Sequence, residues 1–209
     1  MNLRIALALP LAALSLAACE TVTSPVPLGE KPAVLETAAW EGRWANADGH
    51  LDLLVTDAAN GLVRIAYNDI EDGDCKDMEL QLRTSGEWTF FSVTEEDFER
   101  SEGLASSPCS PVSSTGSGLA PGEESGSASY LWGRVRLSDN AIYAWGPDPE
   151  AFVRLVSAGR LPGTVDEGSV VLGLLSPEHY ELIISGSEGV VLDWEDPLVL
   201  YRQQPTATK

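Results

Sequence analysis

Residues 78–83 read Met-Glu-Leu-Gln-Leu-Arg, apolar and polar in strict alternation, and this pattern restricts the fold more than any other feature of the chain. Successive side chains of an extended strand point to opposite faces, so a period of two makes a strand with one dry and one wet face, the antiparallel case. Leu131, Val135 and Leu137 repeat the pattern against Arg134 and Arg136. Asn60-Gly61, Ser85-Gly86 and Asp139-Asn140 lie between such runs. Gly and Asn tolerate the positive φ that two-residue hairpin turns require. The expected hairpins join 51–57 to 62–68, 78–83 to 87–93 and 130–137 to 141–145. Strands connected in this way are neighbours in space as in sequence, which makes an antiparallel meander.

The last third changes period. Asp148-Pro149-Glu150 has the makings of a helix start: an N-cap oxygen, a proline whose missing N–H costs nothing at the first position, and a carboxylate facing the helix dipole. Phe152, Leu155 and Val156 fall on one face and Gly159 ends the run. Ser176-Pro177-Glu178 repeats the opening after 28 residues, followed by Tyr180, Ile183 and Ile184 and then Gly186. This resembles a weak internal repeat, and any short capped amphipathic helix converges on the same pattern. A run over 198–202 reads as a closing strand.

Gly42-x-Trp44 near the start of these strands and Arg202 in the last one resemble the lipocalins, in which an opening G-x-W tryptophan packs beneath an arginine of the final strand. The resemblance implies a small-molecule or lipid pocket. Two inserted helices and the order of elements depart from that family. The expected fold is therefore α+β, mainly an antiparallel meander or partly closed lipocalin-like barrel with two short helices, forming one domain over 37–203.

At the N-terminus Arg4 precedes an apolar run over 5–18 broken only by Pro10 and Ser15. That run is too short to span a bilayer and has the charged start, apolar middle and small-residue end of an export signal. Leu16-Ala17-Ala18-Cys19 closes it and resembles the lipobox of bacterial lipoproteins. The resemblance implies cleavage before Cys19, acylation of its sulfur and amine, and a stable hold on a membrane through two or three chains. In that family an Asp after the cysteine favours the inner membrane. Here the position is Glu20, which points to the outer membrane, facing the periplasm. Residues 19–36, with Pro25, Pro27 and Pro32, read as an extended tether, and 204–209 as a tail.

Export would place Cys75 and Cys109 in an oxidising compartment, where disulfides persist. The expected Cys75–Cys109 bridge closes a loop of 35 residues. The Ser, Gly and Pro content of 101–129 reads as a disordered loop pinned at Cys109.

The chain carries 32 acidic and 13 basic residues. Loss of the signal segment, whose one charge is Arg4, takes the formal charge from -19 to -20, which disfavours nucleic acid as a partner. No H-E-x-x-H, G-x-S-x-G, S-x-x-K or Walker motif occurs, and the two histidines, His50 and His179, read as a turn and a helix-surface residue. Asn68, Asp72, Gly73, Asp74 and Glu79 match positions of an EF-hand-like loop, but Ile70 and Lys76 occupy two others. Ca²⁺ needs six or more oxygens, so an acidic hairpin loop is the better reading. No metal or cofactor is expected. Six tryptophans could stack on sugars such as peptidoglycan, although core packing is the commoner fate of the residue; Trp132, on a strand face with Arg134 and Arg136, is the candidate for an exposed platform. The expected role is a lipid-anchored, non-enzymatic envelope protein that binds a protein partner or a small apolar ligand; an envelope hydrolase using carboxylates is the alternative.

Overall fold

The computed structural model describes residues 20–69, 75–102, 128–185 and 197–203. Residues 1–18, read above as an export signal, Cys19, Asp72, Gly73 and Asp74 of the acidic loop, Cys109, most of the Ser/Gly/Pro stretch, Gly186 and the tail lie outside the described residues.

In chain order the elements are β1 (Val22–Ser24), β2 (Lys31–Pro32), α1 (Thr37–Trp40), β3 (Gly42–Ala45), β4 (Gly49–Asp57), β5 (Leu62–Asp69), β6 (Cys75–Ser85), β7 (Trp88–Thr94), α2 (Glu95–Glu102), β8 (Tyr130–Ser138), β9 (Ala141–Trp145), α3 (Pro149–Ser157), β10 (Gly163–Asp166), β11 (Ser169–Leu172), α4 (Pro177–Ser185) and β12 (Leu198–Arg202). Strands β3 to β9 follow one another around a meander, β12 pairs both β9 and β3, and β9 returns to β8. The result is a closed eight-stranded antiparallel barrel of lipocalin-like α+β architecture. All three expected hairpins form, with Gly61 at φ +69° and Gly86 at φ +57° in two of the turns.

Two apolar cores result. An eight-stranded barrel is just wide enough for side chains to fill it, and Trp44, Leu51, Leu53, Val63, Leu82, Val135, Ile142 and Leu200 occupy the interior, joined by Trp40 from α1. The second core lies between helices and strands: Phe152 and Leu155 of α3 and Tyr180 and Ile183 of α4 gather with Phe90, Trp132, Trp145, Val22, Val170 and Leu172. Asp148 caps α3 by accepting from the Ala151 N–H at 3.1 Å, and Gly159 follows at φ +67°.

Two expectations fail here. Of the segment expected as a tether over 19–36, the described part from residue 20 is folded into the domain. β1 pairs β8 and lies parallel to β11, β2 pairs β6, and Val22, Leu28, Ala33 and Leu35 are buried. The physical reason is unpaired backbone. β6 extends past its pairing with β5, which stops at Gln81, and β8 extends past its pairing with β9, which starts at Arg134. The N-terminal segment takes up both vacated edges, where Pro is tolerated. The fold therefore begins by residue 21, not at 37.

Trp132 is the second correction, since it is 4 % exposed. Its ring meets Phe152 edge-on at 5.4 Å and Phe90 at 6.1 Å. The strand face carrying Arg134 and Arg136 is dry at this end because α3 covers it. Helix α2 and the β10–β11 hairpin were not expected at all.

Candidate functional site

The outer wall formed by β7, β8 and β9 carries the most distinctive grouping of polar chemistry. The Asp139-Asn140 turn pairs Ser138 with Ala141, and that register sets Arg136 opposite Tyr143 and Arg134 opposite Trp145. On the other side Phe90 faces Arg134, and Trp88 lies two residues along the same strand. The Arg134 guanidinium carbon stands 3.9 Å from the centroid of the Trp88 ring and 5.2 Å from that of Trp145. Arg136 stands 5.0 Å from Tyr143 and 6.0 Å from Trp145, and those two rings stack at 15°.

Each guanidinium thus stands over aromatic rings, and a planar guanidinium is the cation best matched to carboxylates or phosphates. Burial lowers the Arg134 pKa, and the Arg136 charge lowers it further. Both causes disfavour the charged form of Arg134, and an anion beside it would favour that form. Arg136 is exposed and has no carboxylate partner among the described residues. On a chain of formal charge -19 this is a local reversal of sign. The hairpin register makes the ladder legible in the sequence: counting outward from Asp139-Asn140 opposes the two arginines to the two aromatics.

The other candidates are scattered. Cys75, at the start of β6, is disulfide-bonded. His50 lies within β4 instead of a turn, between Ala45 and Asn68. Glu79, the supposed twelfth calcium position, sits well inside β6 opposite Arg64, whose own carboxylate partner is Asp77 at 2.6 Å. Asn68 and Glu79 therefore converge on no common point, and no group of three metal-ligating side chains occurs among the described residues.

Ser176, Glu178 and His179 look like the parts of a nucleophile and base, yet the bonds make a cap. The Ser176 backbone N–H donates to His179 Nδ1 at 3.0 Å, and the Ser176 hydroxyl donates to Glu178 at 2.9 Å. This is a capping box with imidazole in place of the usual carboxylate. An open concavity of about 490 Å³ beside it is lined by Arg160, Glu178, His179, Glu181 and Leu182. A second, of about 430 Å³, lies where Ala38, Ala39, Leu137, Ser138, Asp139 and Arg202 meet at one barrel end.

Below that end Trp44 is fully buried, donates its indole N–H to the Trp40 carbonyl at 2.9 Å, and lies beneath Arg202. The G-x-W tryptophan and the last-strand arginine are thus brought together as the lipocalin resemblance implies. No helix among the described residues is long and apolar enough to cross a membrane. Compared with known proteins, the chain matches no family model, no curated protein and no solved structure.

Proposed function

We propose that the protein is a lipid-anchored, non-enzymatic component of the bacterial cell envelope that acts by binding a protein partner. The observation that carries the reading is Leu16-Ala17-Ala18-Cys19 directly behind a charged start and an apolar run. Acylation of Cys19 adds about 0.8 kcal/mol of membrane affinity per buried CH₂, which two or three chains turn into a stable hold. Glu20 in place of Asp supports the outer membrane, on its periplasmic side.

Of the two ligand classes expected, a protein partner is the better supported. Inside the barrel the side chains from Trp44 to Leu200 form one buried apolar cluster, which supports core packing there over a ligand chamber. The wall around Arg136 offers exposed, charge-bearing surface to an acidic partner segment instead.

The test is intact mass spectrometry of membrane-fraction protein. The expected result is a chain starting at Cys19 with added acyl mass, and a Cys19→Ala variant that is neither processed nor acylated. A full-length chain, or a mature chain without acyl mass, overturns the anchor. Photo-crosslinking from position 136 then tests the partner: an adduct lost on adding excess acidic peptide supports the wall, and no adduct in intact cells rejects it.

A further inference from the structure

The β10–β11 hairpin stands at the place where the anchor must leave the domain. The Thr21 N–H donates to Ser169 Oγ at 3.4 Å, and the Val170 N–H donates to the Thr21 carbonyl at 2.8 Å. Val22, 2 % exposed, is in register with Val170. The Glu20 carboxylate lies over the hairpin turn: a Cβ on Gly168, which has φ +91°, would come within 2.7 Å of Glu20 Oε1. Order therefore runs to the residue after Cys19.

Further along, the same segment is fastened repeatedly. The Leu28 N–H donates to Ser92 Oγ at 3.0 Å, and the Gly29 N–H donates to the Tyr180 hydroxyl at 3.1 Å. Arg83 donates to the Gly29 and Glu30 carbonyls, and Ser85 donates to the Glu30 carboxylate at 2.7 Å. No slack remains between residue 21 and the barrel.

We infer that the tip of the β10–β11 hairpin is the membrane-facing end of the domain, held at the headgroup layer in one orientation because the anchor has no spacer. The inference rests on the lipid-anchor reading above and goes beyond it by naming the docking surface. Two residues of chain reach about 7 Å at most, so a lipid on Cys19 leaves Thr21, and with it Ser169, within that reach of the acylated residue. The occupant of this face is the bilayer that holds the acyl chains. Asp166, Glu167 and Glu20 are all exposed at the tip. Carboxylates stay out of hydrocarbon and are repelled by anionic headgroups, so the tip rests at the surface of a leaflet rich in zwitterionic lipid.

The test uses the acylated mature chain in phosphatidylethanolamine vesicles with a minor fraction of phosphatidylglycerol, with acyl mass verified beforehand so that failure of the anchor is seen separately. A fluorophore on Glu167→Cys, with the parent chain as background, is read against a headgroup-attached quencher. Strong quenching is expected. A Gly/Ser insertion of about ten residues between Cys19 and Glu20, which spans roughly 17 Å on average, should abolish most of it. A second label at Asp166→Cys repeats the measurement if the first variant folds poorly. Equal quenching with and without the insertion, on chains of verified acylation, overturns the inference.

Discussion

The guanidinium carbon of Arg202 lies 4.2 Å from the centroid of the Trp44 ring, and the same side chain donates to the Glu41 carbonyl at 2.9 Å and to the Ala39 carbonyl. One residue of the last strand thus covers the tryptophan of the first barrel strand and ties down the turn between α1 and β3. A cation–π contact and charged hydrogen bonds to two carbonyls together are worth about 3 kcal/mol. Arg202→Met should lower the unfolding free energy by that amount in urea titrations followed by tryptophan fluorescence. Arg202→Lys should not restore it, because an ammonium lacks the planar fork. Wild-type stability in both variants would refute the clasp.

Trp132 fills the second core, and its indole N–H makes no hydrogen bond among the described residues. Trp132→Ala should cost about 3–5 kcal/mol through the cavity left beneath Phe152. Trp132→Phe should cost much less, since it keeps ring packing and removes a buried donor. Thermal unfolding of the two variants distinguishes this packing role from a surface platform, where both would be near neutral.

Asp57 accepts from the Asn60 side chain at 2.7 Å and from the Asn60 and Ala59 N–H groups. The Asn60 side chain foremost, and these N–H groups after it, hold the carboxyl below its ordinary value. The ionised form therefore favours the fold. Its contribution is complete above the unfolded carboxylate value of about 3.9 and fades as pH falls through the lower folded value. Asp57→Asn should lower the urea midpoint at neutral pH, and the gap to wild type should close in acid. A gap that persists at the lowest pH would contradict the assignment.

Cys75 is disulfide-bonded, and acylation of Cys19 would leave Cys109 as its partner. Non-reducing peptide mapping should recover the 75 and 109 peptides linked, and reduction should cost about 4 kcal/mol on the chain-entropy model of a 35-residue loop. Two reactive thiols in the oxidised, unfolded chain would exclude the bridge.

The hairpins and both capped helices are legible in the sequence because their signals are local: a turn dipeptide, a period, a cap. The barrel closure was half legible, through Trp44 and Arg202. What escaped is of another kind. β1 and β2 are short, lie in a stretch with Pro25, Pro27 and Pro32, and pair where β8 and β6 outrun their neighbours. Helix α2, Glu-Glu-Asp-Phe-Glu-Arg-Ser-Glu, has no apolar stripe. It is supported by Arg100 pairing with Glu96 and Asp97 and by Thr94 capping the Asp97 N–H. The burial of Trp132 is not legible in the sequence, because alternation tells which residues share a strand face but not whether a second layer covers it. The arginine ladder follows from the register of one turn, which sets Arg136 opposite Tyr143 and Arg134 opposite Trp145.

The bond between Thr21 and Ser169 joins residues 148 apart in the chain. A chain made from its N-terminus presents β1 first, and its partners, β8 and β11, come late. Contacts of such sequence separation form slowly, and until they do Pro25 and Pro27, just after β1, restrict the segment and blunt wrong strand pairing. The order of events then has a mechanical meaning on the anchored reading. Acylation reaches a loose end, and zipping that end into the side sheet draws the barrel down to its lipid, so that folding and mooring finish as a single act.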